Sequence, residues 1–105
     1  MEVLWDTKAG DELLAIAKQG RDEAFNAGQI FRMMEKFAIE EVDPMVPCPW
    51  HGTIRLCWWP DQSIKAFFGV TDNTLYIAHV AVTNTPYEFT QAERLALERY
   101  RIFLN

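Results

Sequence analysis

Apolar positions along this chain alternate at the start, fall at helical spacing through the first third, alternate again in the middle, and return to helical spacing at the end. Val3 and Trp5 alternate with Glu2, Leu4 and Asp6, which predicts a short first strand. Leu13, Leu14, Ile16 and Ala17 then predict a helix, with Asp11 and Glu12 early, Lys18 late and Gly20 as its stop. A second helix is expected from about Arg21 to Glu40, its apolar face built from Ala24, Phe25, Ala27, Ile30, Phe31, Met34, Phe37 and Ala38. Pro44, Pro47 and Pro49 break the pattern and predict a crossing loop over residues 43–52, closed by Gly52.

Three strands are expected next: Thr53–Trp59, Ser63–Val70 and Thr74–Val82. Turns at Pro60-Asp61-Gln62 and Thr71-Asp72-Asn73 are short, so the strands form an antiparallel meander. The last element opens with Thr85-Pro86-Tyr87-Glu88: an N-cap hydroxyl, proline in the first turn and a carboxylate three residues after the cap. A second capping box at Thr90-Gln91-Ala92-Glu93 leaves the start open between the two, and Leu95, Ala96, Tyr100 and Phe103 form the expected buried face. The expectation is an α+β fold of one domain over residues 1–105. Its order is β-α-α-β-β-β-α, with an antiparallel sheet of about four strands and the N-terminal helical hairpin on one face.

Composition changes this picture little. The chain has 105 residues, 50% hydrophobic and 24% charged, as ordinary globular domains are. No apolar run approaches the ~20 residues of a membrane helix, and Met1-Glu2-Val3-Leu4-Trp5-Asp6 is not a secretory leader, so a cytoplasmic protein is expected. Net charge is −5, with all of the excess before Pro49, which argues against holding nucleic acid by bulk charge. Cys48, His51 and Cys57 lack the second short-spaced pair of a zinc site, so two free thiols and no metal or other cofactor are expected.

Alternation also sorts the candidate chemistry. If Ile54, Leu56, Ile64, Ala66 and Phe68 face the helices, Arg55 and Lys65 share the other, uncovered face with Trp59 and Phe67. Two cations beside aromatic rings make a small site for phosphate and stacked bases; the plainer alternative is a solvated sheet face.

The layout resembles the RelE/ParE toxin superfamily, in particular its phage-derived RelE-like branch. Gly52-Thr53-Ile54-Arg55-Leu56 is similar to that branch's glycine-led strand with its arginine. Ile64-Lys65-Ala66-Phe67-Phe68, Asp72-Asn73 and Leu75-Tyr76-Ile77-Ala78-His79 occupy its next strand, acidic turn and histidine-bearing strand. Thr85-Pro86, Glu88, Ala92, Arg99 and Tyr100 match its last helix. The resemblance implies a toxin neutralised by a cognate antitoxin of helix-turn-helix type. In the RelE branch it implies metal-independent, ribosome-dependent mRNA cleavage, a 2′-hydroxyl attacking the adjacent phosphate. Carried over by position, Arg55 and Lys65 stabilise the developing charge, Arg99 and Tyr100 are added from the last helix, and His79 is the side chain that titrates near neutrality. By alternation His79 instead points into the core beside Leu75 and Ile77, as a satisfied core histidine.

Two other readings stand beside this one. Ala81-Val82-Thr83-Asn84 lacks the basic run that the family carries after its last strand, and the helical hairpin is acidic. These features suit a non-catalytic or ParE-like relative that binds a protein such as a topoisomerase. An acidic, phage-type inhibitor that mimics nucleic acid is the third reading.

Overall fold

The computed structural model describes residues 1–105 apart from Asp43 and Gln62; the expected turn at Pro60-Asp61-Gln62 therefore runs outside the described residues. The elements are β1 (Glu2–Trp5), α1 (Thr7–Ala17), α2 (Arg21–Ile39), β2 (Trp50–His51), β3 (Ile54–Arg55), β4 (Cys57–Asp61), β5 (Ile64–Thr71), β6 (Thr74–Val82) and α3 (Pro86–Leu104). The main sheet has four strands in the order β1-β6-β5-β4. Strands β4, β5 and β6 form the expected antiparallel meander, while β1 lies parallel to β6, so the sheet is mixed.

Local chemistry accounts for the ends of the elements. Asp6 caps α1, its carboxylate accepting the Lys8 amide at 2.9 Å. Thr85 is the true cap of α3: its hydroxyl accepts the Glu88 amide at 3.1 Å, and the Glu88 carboxylate reaches back to the Asn84 amide. Thr90 lies inside that helix and donates to the Pro86 carbonyl. Asp72 and Asn73 both have positive φ, 45° and 62°, as a two-residue hairpin turn requires.

The expected strand over Thr53–Trp59 is broken at Leu56. Its first part, β3, turns back through Gly52, at φ 67°, to pair with β2 in a separate two-stranded hairpin. The second part, β4, is the edge of the main sheet. Residues of the crossing loop lie along that edge, where the Leu56 amide donates to the Pro49 carbonyl and the Trp58 amide to the Pro47 carbonyl. Prolines offer carbonyls but no N–H, so such a segment can receive donors from an edge strand without extending the sheet. Cys48 and Cys57 are joined in a disulfide across the same contact, so the expectation of two free thiols is corrected.

Both faces of the sheet are covered. On one, α1 and α2 pack Leu13, Ile16, Ile30, Met34 and Phe37 against Ile64, Ala66, Phe68, Leu75, Ile77 and Val80. On the other, α3 packs Ala92, Ala96 and Tyr100 against Leu56, Phe67, Tyr76 and Ala78. The expected open face therefore does not exist. Leu56 and Trp58 also point to α3, not to the hairpin: both pack in the cluster under α3, and Trp58 pairs across the sheet with Phe67. Leu95, Phe25 and Phe31, expected in the core, are partly exposed; Phe31 instead stacks on Trp5.

Candidate functional site

The site starts from an irregularity in the ladder. Phe67 faces His79 and Phe68 faces Ile77, so Ala78 is an extra residue in β6. Before this bulge Leu75 and Ile77 point to the helical hairpin; after it Val80 does, and Ala78 and Ala81 point to α3. Strict alternation would send His79 into the core beside Leu75 and Ile77. The bulge changes the parity, and the ring stacks instead on Phe67, centroids 6.1 Å apart.

The edge of β6 is bare in the same place. β1 covers it only as far as Ile77, whose carbonyl takes the Asp6 amide at 2.9 Å. Beyond that point side chains complete the ladder. Arg99 Nη1, from α3, donates to the Ala78 carbonyl at 3.0 Å, and the Val80 amide donates to Glu12 Oε1, from α1, at 3.2 Å. Arg99 grips Glu12 with both terminal nitrogens, at 2.9 and 3.1 Å, and His79 Nδ1 lies 2.8 Å from the same carboxylate. Glu12, His79 and Arg99 thus converge from three elements.

The electrostatics are equally defined. Burial works against the Glu12 charge, but the bonds from His79 and Arg99, the charge of His79 and the Val80 amide outweigh it and pull the carboxyl down to about 2. A carboxylate held ionised can only accept, so Nδ1 is the ring nitrogen that carries a proton toward Glu12. The 3.2 Å approach of Arg99 Nη1 to Nδ1 is then a close contact between two donors that share Glu12, not a third bond. Arg99 Nε is buried with no hydrogen-bond partner among the described residues. His79 Nε2, on the far side of the ring, has no bond among the described residues, and His79 lines an open groove of about 370 Å³ between β6 and α3.

Of the residues expected to act together, His79 and Arg99 meet here. Arg55 and Lys65 do not share one open sheet face. Arg55 belongs to the small hairpin, donates from Nε to the Cys48 carbonyl at 3.0 Å, and lies over the Trp50 ring. Lys65 is in β5, its Nζ on the Thr83 carbonyl at 3.1 Å. Tyr100 is buried under α3 beside Tyr76 and Gly69; burial, then the charge of Asp72, pushes its hydroxyl up. His51 Nε2 comes within 3.5 Å of Glu93 without a hydrogen bond. Glu12 is the member that sequence reasoning missed. It reads as an ordinary acidic residue near a helix start, and no local signal marks it.

Compared with family models, with curated proteins and with solved structures, the chain matches none. No helix among the described residues is long and apolar enough to cross a membrane.

Proposed function

We propose that the chain is a RelE/ParE-like toxin-type protein that acts in the cytoplasm by gripping a protein, as the ParE-like branch does with a topoisomerase, and does not cut mRNA. A cognate antitoxin of helix-turn-helix type would be its other partner. One observation carries the choice of binding over cleavage: Arg55 and Lys65 lie in different sheets, each bonded to a backbone carbonyl, and α3 covers the face where a phosphate would have to sit. Cleavage needs cations aimed at the developing charge of the phosphate. A net charge of −5 points the same way.

A second reading, ribosome-dependent mRNA cleavage, is favoured by one feature. Glu12 orients His79 so that Nε2 is free to take a proton, the arrangement of a general base.

Induced expression, with RNA profiling and with the His79→Ala variant alongside, separates the two. Growth arrest with intact mRNA, together with a purified topoisomerase that binds the chain, supports the binding reading. Arrest with cut mRNA, relieved by His79→Ala in a variant that still folds, overturns it in favour of cleavage. Normal growth at confirmed high expression counts against both.

A further inference from the structure

The groove beside His79 has a chemical character of its own. Ala81, Val82, Tyr87, Ala92 and Leu95 make its walls, and Val82, Tyr87 and Leu95 are exposed at 39%, 72% and 36%. Clustered exposed apolar side chains of this kind mark contact sites. The His79 side chain, only 9% exposed, is fixed from behind by Glu12. It therefore presents an acceptor, Nε2, in a groove that is mostly apolar, with Thr83, Glu88 and Gln91 as its other polar lining residues. Such an acceptor is satisfied by an N–H or O–H carried on an apolar body.

Charge narrows the class further. Among the described residues, no free cation lines the groove: Arg99, behind His79, is spent on Glu12, and Lys65, nearby, is bonded to the carbonyl of Thr83. Its charged lining residue is Glu88. A phosphate would meet the Glu88 carboxylate there, whereas a cationic group of a protein segment would be matched by it.

We propose that this groove seats an aromatic donor side chain, a tryptophan or tyrosine in a basic segment of a protein partner, with its N–H or O–H bonded to His79 Nε2. The inference rests on the protein-binding reading and supplies the chemistry of the contact.

The test is an NMR titration of the full chain with N-acetyl-tryptophanamide, above the histidine range of pH, following the His79 ring nitrogens and the Val82 and Leu95 methyls. Saturable shifts confined to these groups are expected, weakened at least roughly tenfold when the indole nitrogen is methylated, the loss of about one hydrogen bond. Leu95→Lys, at a half-exposed position that leaves the core intact, should abolish them, whether or not His79→Phe proves stable. Shifts that do not saturate, that fall elsewhere, or that are indifferent to methylation overturn the proposal. So does equal binding by the Leu95→Lys variant. Any of these results alongside growth arrest with intact mRNA removes the groove assignment alone. Binding here alongside His79-dependent mRNA cleavage overturns the assignment to a protein partner.

Discussion

Arg99 holds Glu12 by two parallel hydrogen bonds, at 2.9 and 3.1 Å, across 87 residues of chain. The pair links the first helix to the last over an edge of the sheet that neither covers alone. Both partners are largely shielded, at 12% and 26% side-chain exposure, so the pair is more than a surface ion pair.

This geometry predicts an acid limb of stability. The Glu12 carboxyl falls from 4.5 to about 2 on folding, so the folded state binds its proton more weakly than the unfolded chain. Its contribution is complete above pH 4.5 and is lost as pH falls toward 2. The shift sets a ceiling of roughly 3 kcal/mol, which solvent screening on the exposed side reduces to about 1–2 kcal/mol. Urea midpoints measured across this range should decline for the natural chain and stay nearly flat for Glu12→Gln, which should start lower. A parallel decline in both proteins would show that other carboxylates set the acid limb.

Gly69 and Tyr100 make a second checkable pair. A Cβ at Gly69 would run into the Tyr100 ring at Cζ and Cε2, so the absence of a side chain in β5 is what lets α3 lie close to the sheet. Gly69→Ala should cost about 1–3 kcal/mol by overpacking. The Tyr100→Leu change should cost less in the Gly69→Ala background than alone, because it removes the ring that clashes. Additive losses in denaturant melts would contradict this contact.

How much of this was legible follows from where each signal resides. The helical hairpin and the Asp72-Asn73 turn rest on local chemistry and appear as expected, and of the two candidate caps of the last helix Thr85 is the one used. The Ala78 bulge has no glycine or proline to announce it, yet it decides which way His79 points. The break at Leu56 depends on a loop lying along β4, a tertiary event that strand alternation cannot register. The placement of α3 did leave a trace: a glycine inside a strand signals close approach, and Ala92 and Ala96 are small enough to permit it. Arg99 and His79 could be named individually as candidates, but Glu12, the residue that joins them, is separated from both by most of the chain.

At high pH the tyrosines should dominate. Tyr76 donates to Asp6 Oδ2 at 2.6 Å, and Asp6 Oδ1 caps α1. Burial first, then the bond to Asp6 and its charge, push the Tyr76 hydroxyl well above 10, and burial raises Tyr100 as well. A raised folded value means the folded state holds the proton, so this contribution is intact below pH 10 and is lost as pH rises beyond it. Phenolate absorbance from Tyr76 and Tyr100 should therefore appear together with unfolding. Tyr76→Phe should cost about 0.5–1.5 kcal/mol at neutral pH and soften the alkaline decline. Ionisation of both rings well before the circular dichroism signal is lost would contradict this account.

The Cys48–Cys57 bridge and a cytoplasmic location pull against each other, since thiols are kept reduced in that compartment. The bonded positions are nine apart in sequence, and for a loop of that size chain entropy assigns the bridge roughly 2–3 kcal/mol. The loop is also held without it, by the Leu56 and Trp58 amides on the Pro49 and Pro47 carbonyls and by Arg55 on the Cys48 carbonyl. Those bonds keep order in the reduced chain, so reduction should lower stability by about 1–3 kcal/mol and leave the fold in place. Protein alkylated at the moment of lysis should carry two adducts, air-oxidised protein none, and the two should differ in denaturant midpoint by that amount. The double variant Cys48→Ser with Cys57→Ser should match the reduced form. Equal midpoints for oxidised and reduced chains would mean that the three loop bonds hold the edge of β4 by themselves and that the bridge adds nothing to them.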